Sequence, residues 1–497
     1  MLLALPYHFS FLGPLAYFAF IPAFFTLRDR SSSQTFKRFF LFGFTYYALL
    51  GYWLNHVNVL GFLLLAVYLA LYFAFFGLYA RNLLDSGKVR SALFIAAAWV
   101  LLEYLRGFLL SGFPWALLGY SQWKNLWVIQ MADSVGVYGV SFLVMWVNVL
   151  LYQFFRHSFS RKPLLFLFPV MAAVLLYGAL QLRVRESFYE NDLPKAQLTL
   201  SVLQGNIPQE QKWDTRIKNI IFEKYKRLTL MAAMERTDLV VWPETSFPGY
   251  LEDEALLAAQ LRSAVRQART SVLVGAPTIS DLEKDLKFYN SAVLYSPQGE
   301  ETKRYHKMHL VPLGEYIPFE ALLGFLRRFV PIGHFSAGEE PTLFSIVSQV
   351  QPSRIAAKFS VLICYEDIFP ELVRERCRAG ADFLINISND AWFGKTSAPY
   401  QHAQASVFRA VENRVPVVRA TNTGFSCFIS AEGRVFSSVK AANGEEIMVS
   451  GLKTDTITLR KGRPLYTTLG ETPFWGVLLL LWLARREKQK LSNYSRI

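Results

Sequence analysis

The chain has 497 residues, length enough for two or three ordinary domains. Hydrophobic residues make up 53% of it, aromatic residues 15% and charged residues 18%, against about 25% charged in typical soluble proteins, and mean hydropathy is +0.24, which excludes a disordered or fibrous chain and speaks against a fully soluble one. A net charge of +14 raises the question of nucleic acid, but the placement of that charge answers it otherwise, and three cysteines (Cys364, Cys377 and Cys427) permit one bridge at most and fit no zinc spacing.

In chain order, apolar runs recur at 11–27, 37–56, 60–80, 91–110, 135–155 and 163–181, with a shorter one near 473–484. Most have the roughly 17–25 residues a helix needs to cross about 30 Å of hydrocarbon. Six such runs leave no polar faces for a water-soluble bundle. The predicted division is a transmembrane helical bundle over 1–181, a soluble domain over 182–472, and a last transmembrane helix with a basic tail over 473–497.

Basic residues alternate between the loops. Arg28, Arg30, Lys37 and Arg38 follow the first run, Arg81, Lys88 and Arg90 the third, Arg156, Arg161 and Lys162 the fifth, and Arg485, Arg486, Lys488 and Lys490 the last. The intervening loops hold almost none: Ser111 to Ser134 has only Lys124. The positive-inside rule makes the basic loops cytoplasmic, so the soluble domain lies on the outer side. The positive charge is a topology signal and needs no nucleic acid.

The middle segment reads as α/β. Gln197–Gln204, Asp238–Trp242, Ser271–Gly275, Ser291–Tyr295, Ala357–Cys364, Phe383–Ile387 and Val415–Arg419 have the composition of buried strands. Helical stretches at Trp213–Arg236, Glu254–Ala268 and Gln401–Asn413 separate them, and Gly-containing turns at Pro297–Glu300 and Ala431–Arg434 mark hairpins. Such alternation predicts a layered α/β sandwich.

Three strand ends carry polar residues suited to chemistry. In VVWPET the apolar strand runs into Glu244; a partly desolvated carboxylate there suits a general base, though a turn or cap carboxylate looks the same. In YHKMHLVPLGEYIP, Lys307 and Glu315 stand among apolar neighbours; the lysine suits an oxyanion, or snorkels at a surface. In SVLICYEDIFPE, Cys364 ends a strand before a helix, where amides and a helix N-terminus favour thiolate; a core cysteine reads the same way.

Glu, Lys and Cys in this order, each after a buried strand, resemble the nitrilase superfamily, which works through a cysteine thioester. QGNIPQEQKW, WPET, HLVPLGEYIP, ICYED, SNDAWFG, RAVENRVPVVRATNTG and, in the apolar half, GFPW and LEYLRG resemble the bacterial apolipoprotein N-acyltransferase family more narrowly. The resemblance runs from about residue 11 to 485. It implies a nitrilase-like αββα sandwich inserted before the last transmembrane helix. Glu244 is then the base, Lys307 the oxyanion stabiliser and Cys364 the nucleophile. Glu315 and Glu366 match supporting acidic positions, and Trp213 and Tyr365 substrate-contacting aromatics. It also implies acyl transfer from a phospholipid to the N-terminal α-amine of diacylglyceryl-modified apolipoproteins, at the periplasmic face of a bacterial inner membrane, with no metal and no cofactor. The family resembled has eight membrane helices where seven are counted, so the expectation is that a first helix lies upstream of Met1 or that it is dispensable here.

Two further expectations concern lipid contact. The Phe-rich stretch between Glu315 and Gly338, with Phe325 and Phe329, is expected to act as a lid at the membrane or to pack as an amphipathic helix. Glu103 and Arg106, three apart on one helix face, are expected to pair with each other or to meet a lipid headgroup. The competing functions are a membrane-tethered amidase and a transporter with an outer binding domain; the second leaves Glu244, Lys307 and Cys364 without a role.

Overall fold

A computed structural model describes residues 1–27, 30–84, 88–156, 160–190, 196–282, 285–317, 324, 334–350, 355–459, 462–472, 475–476, 478–479 and 482. The chain divides into two compact units. One comprises Met1–Asp192, Val411–Asn413 and Arg463–Ile497, the other Leu193–Ala410 and Arg414–Gly462.

The first unit is helical. Among its described residues, Val59–Leu84, Ala132–Arg156 and Lys162–Val184 are long and apolar enough to cross a membrane. Ser32–Leu50 adds a 19-residue helix, opened by a capping box in which Ser31 and Gln34 satisfy each other's backbone amides. Ser91–Arg106 is a shorter helix of 16 residues. The expected run at 11–27 is not one helix. It breaks into a 3-10 segment, Ser10–Tyr17, and a short α-helix, Ile21–Phe25. Pro14 and Pro22 are the physical reason, since each removes an amide and clashes with the preceding turn. Most of the final run at 473–484, the basic tail, and Phe325 and Phe329 lie outside the described residues, as does the greater part of the expected lid.

Ser32–Leu50 and Val59–Leu84 pack through reciprocal glycine contacts. A β-carbon on Gly43 would meet the Phe73 side chain at 2.7 Å, and one on Gly77 would meet Phe39 at 2.4 Å. Small residues let apolar helices approach closely where no hydrophobic force drives them together in lipid. Glu103 and Arg106 are both buried, and among the described residues they do not ion-pair. Glu103 Oε1 instead accepts the Leu118 amide at 2.6 Å, while Arg106 donates to the Trp115 carbonyl at 3.1 Å and to the Tyr47 hydroxyl. These bonds satisfy backbone groups of Trp115 and Leu118, in and just after the GFPW loop, which would otherwise be unmet in an apolar setting.

Among the described residues the second unit is built on twelve strands: β1 (Gln197–Gln204), β2 (Leu239–Val241), β3 (Ser271–Leu282), β4 (Asp285–Tyr295), β5 (Glu301–His306), β6 (Leu343–Val347), β7 (Ala356–Ile363), β8 (Phe383–Ser388), β9 (Val417–Thr421), β10 (Cys427–Ile429), β11 (Val435–Ser438) and β12 (Gly451–Thr458). They form two six-stranded sheets, ordered β12-β1-β2-β3-β4-β5 and β11-β10-β9-β8-β7-β6. In each sheet the centre is parallel (β1–β2–β3 and β7–β8–β9) and the flanks antiparallel. Parallel neighbours need crossover helices; Lys218–Met234 and Ala255–Ala268 supply them for the first sheet.

Strand alternation sets the layers. Leu239 and Val241 of β2 join Leu200, Val202, Phe359, Val361 and Ile385 in a core fed by both sheets. Val240 and Trp242 point the other way, into Phe222, Tyr225, Leu257 and Leu261 of the two helices. The predicted α/β sandwich is therefore the observed fold: two sheets face to face with helices outside.

Candidate active site

Three strand ends carry the reactive groups. β2 ends at Val241 and Glu244 follows within three residues; β5 ends at His306 and Lys307 follows at once; β7 ends at Ile363 and Cys364 follows at once. Glu244 and Lys307 are buried and Cys364 is partly buried.

The backbone is strained beside two of these groups. Thr245, next to Glu244, has φ of 44°, and Cys364 itself has φ of 54°. A non-glycine residue in the left-handed region costs on the order of 1–3 kcal/mol unless its surroundings hold it. For Cys364 the holder is Asn386 of β8, whose Nδ2 donates to the Cys364 carbonyl at 2.8 Å and to that of Leu362 at 3.3 Å.

The Lys307 ammonium lies 2.9 Å from the Glu315 carboxylate and 3.5 Å from Glu244 Oε1. Asn290, in the middle of β4, donates to Glu244 Oε1 at 2.7 Å and to Glu315 Oε1 at 3.0 Å. One amide thus fixes both carboxylates around one cation. The Val311 amide completes Glu315 at 2.8 Å. Burial alone would disfavour the ammonium, yet Glu315, Glu244 and the Cys364 sulfur raise the Lys307 pKa well above its ordinary value. Lys307 is a permanent cation here.

Cys364 departs from the expected thiolate. Burial and the Glu244 charge push its thiol pKa well up, and Lys307 offsets only part of that. Desolvation of an anion is the largest of these influences. The resting group is a neutral thiol, which needs a base before it can attack.

Glu366 joins two of the strand ends. Its Oε2 accepts the Ile363 amide at 2.7 Å, and its Oε1 accepts the amides of Met308 at 2.8 Å and His309 at 3.0 Å; the Tyr305 hydroxyl donates to it at 2.8 Å. The residue before Cys364 and the two after Lys307 therefore hang on one buried carboxylate. Tyr365 donates to the Leu310 carbonyl at 3.0 Å, and its ring lies 5.9 Å from the Lys307 ammonium. Trp213 is 51% exposed, while its neighbour Lys212 is buried and donates to the Glu244 carbonyl at 3.0 Å.

Behind Cys364 sits a buried charged network. His402 donates toward Asp367 at 2.8 Å and Asp390 at 3.3 Å, and Arg419 of β9 donates to Asp367 at 2.7 Å, with Ser406 also bonded to Asp367. Burial disfavours charge on His402, but the two aspartates outweigh it and hold the imidazole pKa up to about 9.

Asn290, Lys212, Asn386 and this network carry no assigned role in the sequence reading. Asn290 had a readable signal, a lone amide directly before the apolar SAVLY run; the others sit in stretches whose polarity alone says nothing of where they point.

Residues 199–461 match the carbon–nitrogen hydrolase family, and residues 1–150 match the apolipoprotein N-acyltransferase N-terminal domain. The apolipoprotein N-acyltransferase of Geobacter metallireducens is 37% identical, over 98% of this chain and 94% of its own. That of Haemophilus influenzae is 31% identical, over 95% of this chain and 90% of its own. Among solved structures, the amidase from Nesterenkonia sp. AN1 is similar at a TM-score of 0.39 and 18% identity, covering 56% of this chain and 99% of that one. A match at this identity across nearly the full length of both chains, with an apolar helical unit ahead of the sandwich, carries one conclusion: the chain belongs to the apolipoprotein N-acyltransferase family, membrane acyltransferases built on the carbon–nitrogen hydrolase fold.

Proposed function

We propose that the protein moves an acyl chain from a phospholipid to the α-amine of the diacylglyceryl-cysteine of apolipoproteins, through a thioester on Cys364. The observation that carries the assignment of roles is the pairing around Lys307, 3.5 Å from Glu244 and 2.9 Å from Glu315. Both Glu315 oxygens are engaged, by Lys307, Asn290 and the Val311 amide, whereas among the described residues Glu244 is engaged at Oε1, which leaves its Oε2 to take a proton.

In the first half-reaction Glu244 removes the thiol proton as the sulfur attacks the ester carbonyl. The tetrahedral oxyanion is stabilised by Lys307, a permanent cation in a desolvated setting. The carbon–oxygen bond then breaks, Glu244 returns the proton to the leaving alkoxide, and the lysophospholipid departs. In the second half the α-amine attacks the thioester, Glu244 accepts its proton, and the thiolate leaves and is reprotonated. Glu366 and Asn386 position the two strand ends and take no part in proton transfer. Trp213 and Tyr365 are assigned to substrate contact.

The domains follow the same reading: 1–181 and 473–497 in the bacterial inner membrane and 182–472 in the periplasm, where diacylglyceryl-modified acceptors are presented. The test is acyl transfer in proteoliposomes, with a chain-labelled phospholipid and a diacylglyceryl-cysteine peptide. The reading requires label on the peptide α-amine and its loss with Cys364→Ala. Release of free fatty acid at the same rate with and without peptide would make the enzyme a hydrolase instead.

A further inference from the structure

Lys212 is a second lysine of this centre, and its situation is the reverse of Lys307's. Lys307 is neutralised by two carboxylates within 3.5 Å. Lys212 is buried, with 7% of its surface exposed, yet among the described residues its ammonium makes a single hydrogen bond, to the Glu244 backbone carbonyl at 3.0 Å. No carboxylate lies within ion-pair distance of it among the described residues. An ammonium held in the interior with two of its three donors unclaimed is costly, and a Met or Leu would fill the space at less expense. The groups that feel its charge are Glu244 and Cys364.

We propose that Lys212 is a positioning residue of the catalytic centre: it anchors the turn that presents Glu244 through the carbonyl bond, and supplies a cation, without an ion-pair partner among the described residues, that stabilises the Cys364 thiolate as it forms. The anchored carbonyl immediately precedes Thr245, the residue held in the left-handed region. That turn needs an outside partner, and Lys212 provides it. A further cation matters because the charges that act most strongly on Cys364 are mostly of the wrong sign: Glu244, Asp390 and Glu315 raise the thiol pKa, and among these strongest influences Lys307 alone lowers it. Burial brings the Lys212 pKa down to about 8, against the pull of Glu244 and Cys364. The cation is therefore present at neutral pH and lost just above it.

This inference rests on Cys364 being the nucleophile. The experiment is the rate of Cys364 alkylation by iodoacetamide from pH 6 to 10, followed by mass spectrometry of its peptide in the full-length protein, with thermal melting as the fold control. In the unmodified protein the logarithm of the rate climbs with pH and its slope bends near pH 8, where Lys212 loses its charge. Lys212→Met lowers the rate about tenfold at pH 7, the effect of one pKa unit from a lost neighbouring charge, and removes the bend. Lys212→Arg keeps the rate at pH 7 and also removes the bend, since a guanidinium stays charged. A purely structural lysine would leave the profile unmoved. A folded Lys212→Met protein with the unmodified profile overturns the proposal; should that variant fail to fold, a Lys212→Arg profile that still bends near pH 8 overturns it. A Cys364 that no pH makes reactive in the unmodified protein would instead overturn the nucleophile assignment beneath it.

Discussion

Gly275 of β3 packs directly on Glu244: a β-carbon at position 275 would stand 2.8 Å from the Glu244 Cα and 2.0 Å from the Pro243 carbonyl oxygen. The Ser246 and Phe247 amides both reach the Gly275 carbonyl, at 2.8 and 3.1 Å. The loop that carries the general base is thus laid flat on a strand that has no side chain at the point of contact.

We predict that Gly275→Ala displaces Glu244 and cuts acyl transfer by about 100-fold, the typical result of moving a reacting group by about 1 Å. The protein should still fold with a lowered melting temperature, because the clash meets a loop and not the sheet core. Transfer rate and thermal melting on the same preparation check this. Near-native activity would show that the loop gives way without moving the carboxylate.

Glu366→Gln tests the joint between strand ends. The carboxylate accepts three backbone amides and a tyrosine hydroxyl. A glutamine turns one acceptor into a donor facing those donors, and a buried group left unmet costs about 1–3 kcal/mol. The variant should melt earlier and lose acylation, since Lys307 and Cys364 drift together. Unchanged melting would contradict the assigned joint.

The His402 network predicts alkaline loss of stability. Its pKa is held up to about 9 from an ordinary 6.5. A group raised on folding contributes fully below the unfolded value and loses that contribution as pH rises through the folded one. Melting temperature should therefore fall between about pH 6.5 and 9, with a free-energy change on the order of 3 kcal/mol. Asp367 and Asp390 are held down, so their contribution is present above about 3.8 and fades as pH falls toward their lowered values. His402→Asn should flatten the alkaline limb; a limb of unchanged depth would contradict the account.

The orientation is checked by reporter fusions. Fusions at Arg90 and Arg161 should read as cytoplasmic and fusions within 182–472 as periplasmic, by the distribution of Lys and Arg. The opposite readings would reverse the proposed topology.

Some of the fold was plain in the residues and some was not. Gln197–Gln204 reads as a strand and is β1, and Phe383–Ile387 lies within β8, because strands buried on both faces are continuous apolar runs. Glu301–His306 and Gly451–Thr458 were missed because β5 and β12 are sheet edges, where charged and polar side chains face water. Their composition is that of a loop, and only the register with β4 and β1 makes them strands. At the site, Glu244, Lys307 and Cys364 were legible as polar residues ending apolar runs. Lys212 was not, because nothing in the sequence distinguishes a lysine bonded to a buried carbonyl from one in water. For Glu103 and Arg106 the spacing suggests a mutual pair or a lipid headgroup; each hydrogen-bonds a backbone group in the stretch after their helix, which the spacing does not encode.

The central claim is that the acyl group passes through Cys364. Purified protein in phospholipid bilayers with no lipoprotein present should gain the mass of one acyl chain. Peptide mapping should place it on Cys364, and neutral hydroxylamine should remove it, as for a thioester. Cys364→Ala should show no adduct, while Cys377→Ala and Cys427→Ala should acylate normally. Lys307→Ala should form the adduct about 100- to 1,000-fold more slowly, the usual effect of losing one oxyanion donor. Acyl mass on any other residue, or acyl transfer retained by Cys364→Ala, would contradict the account.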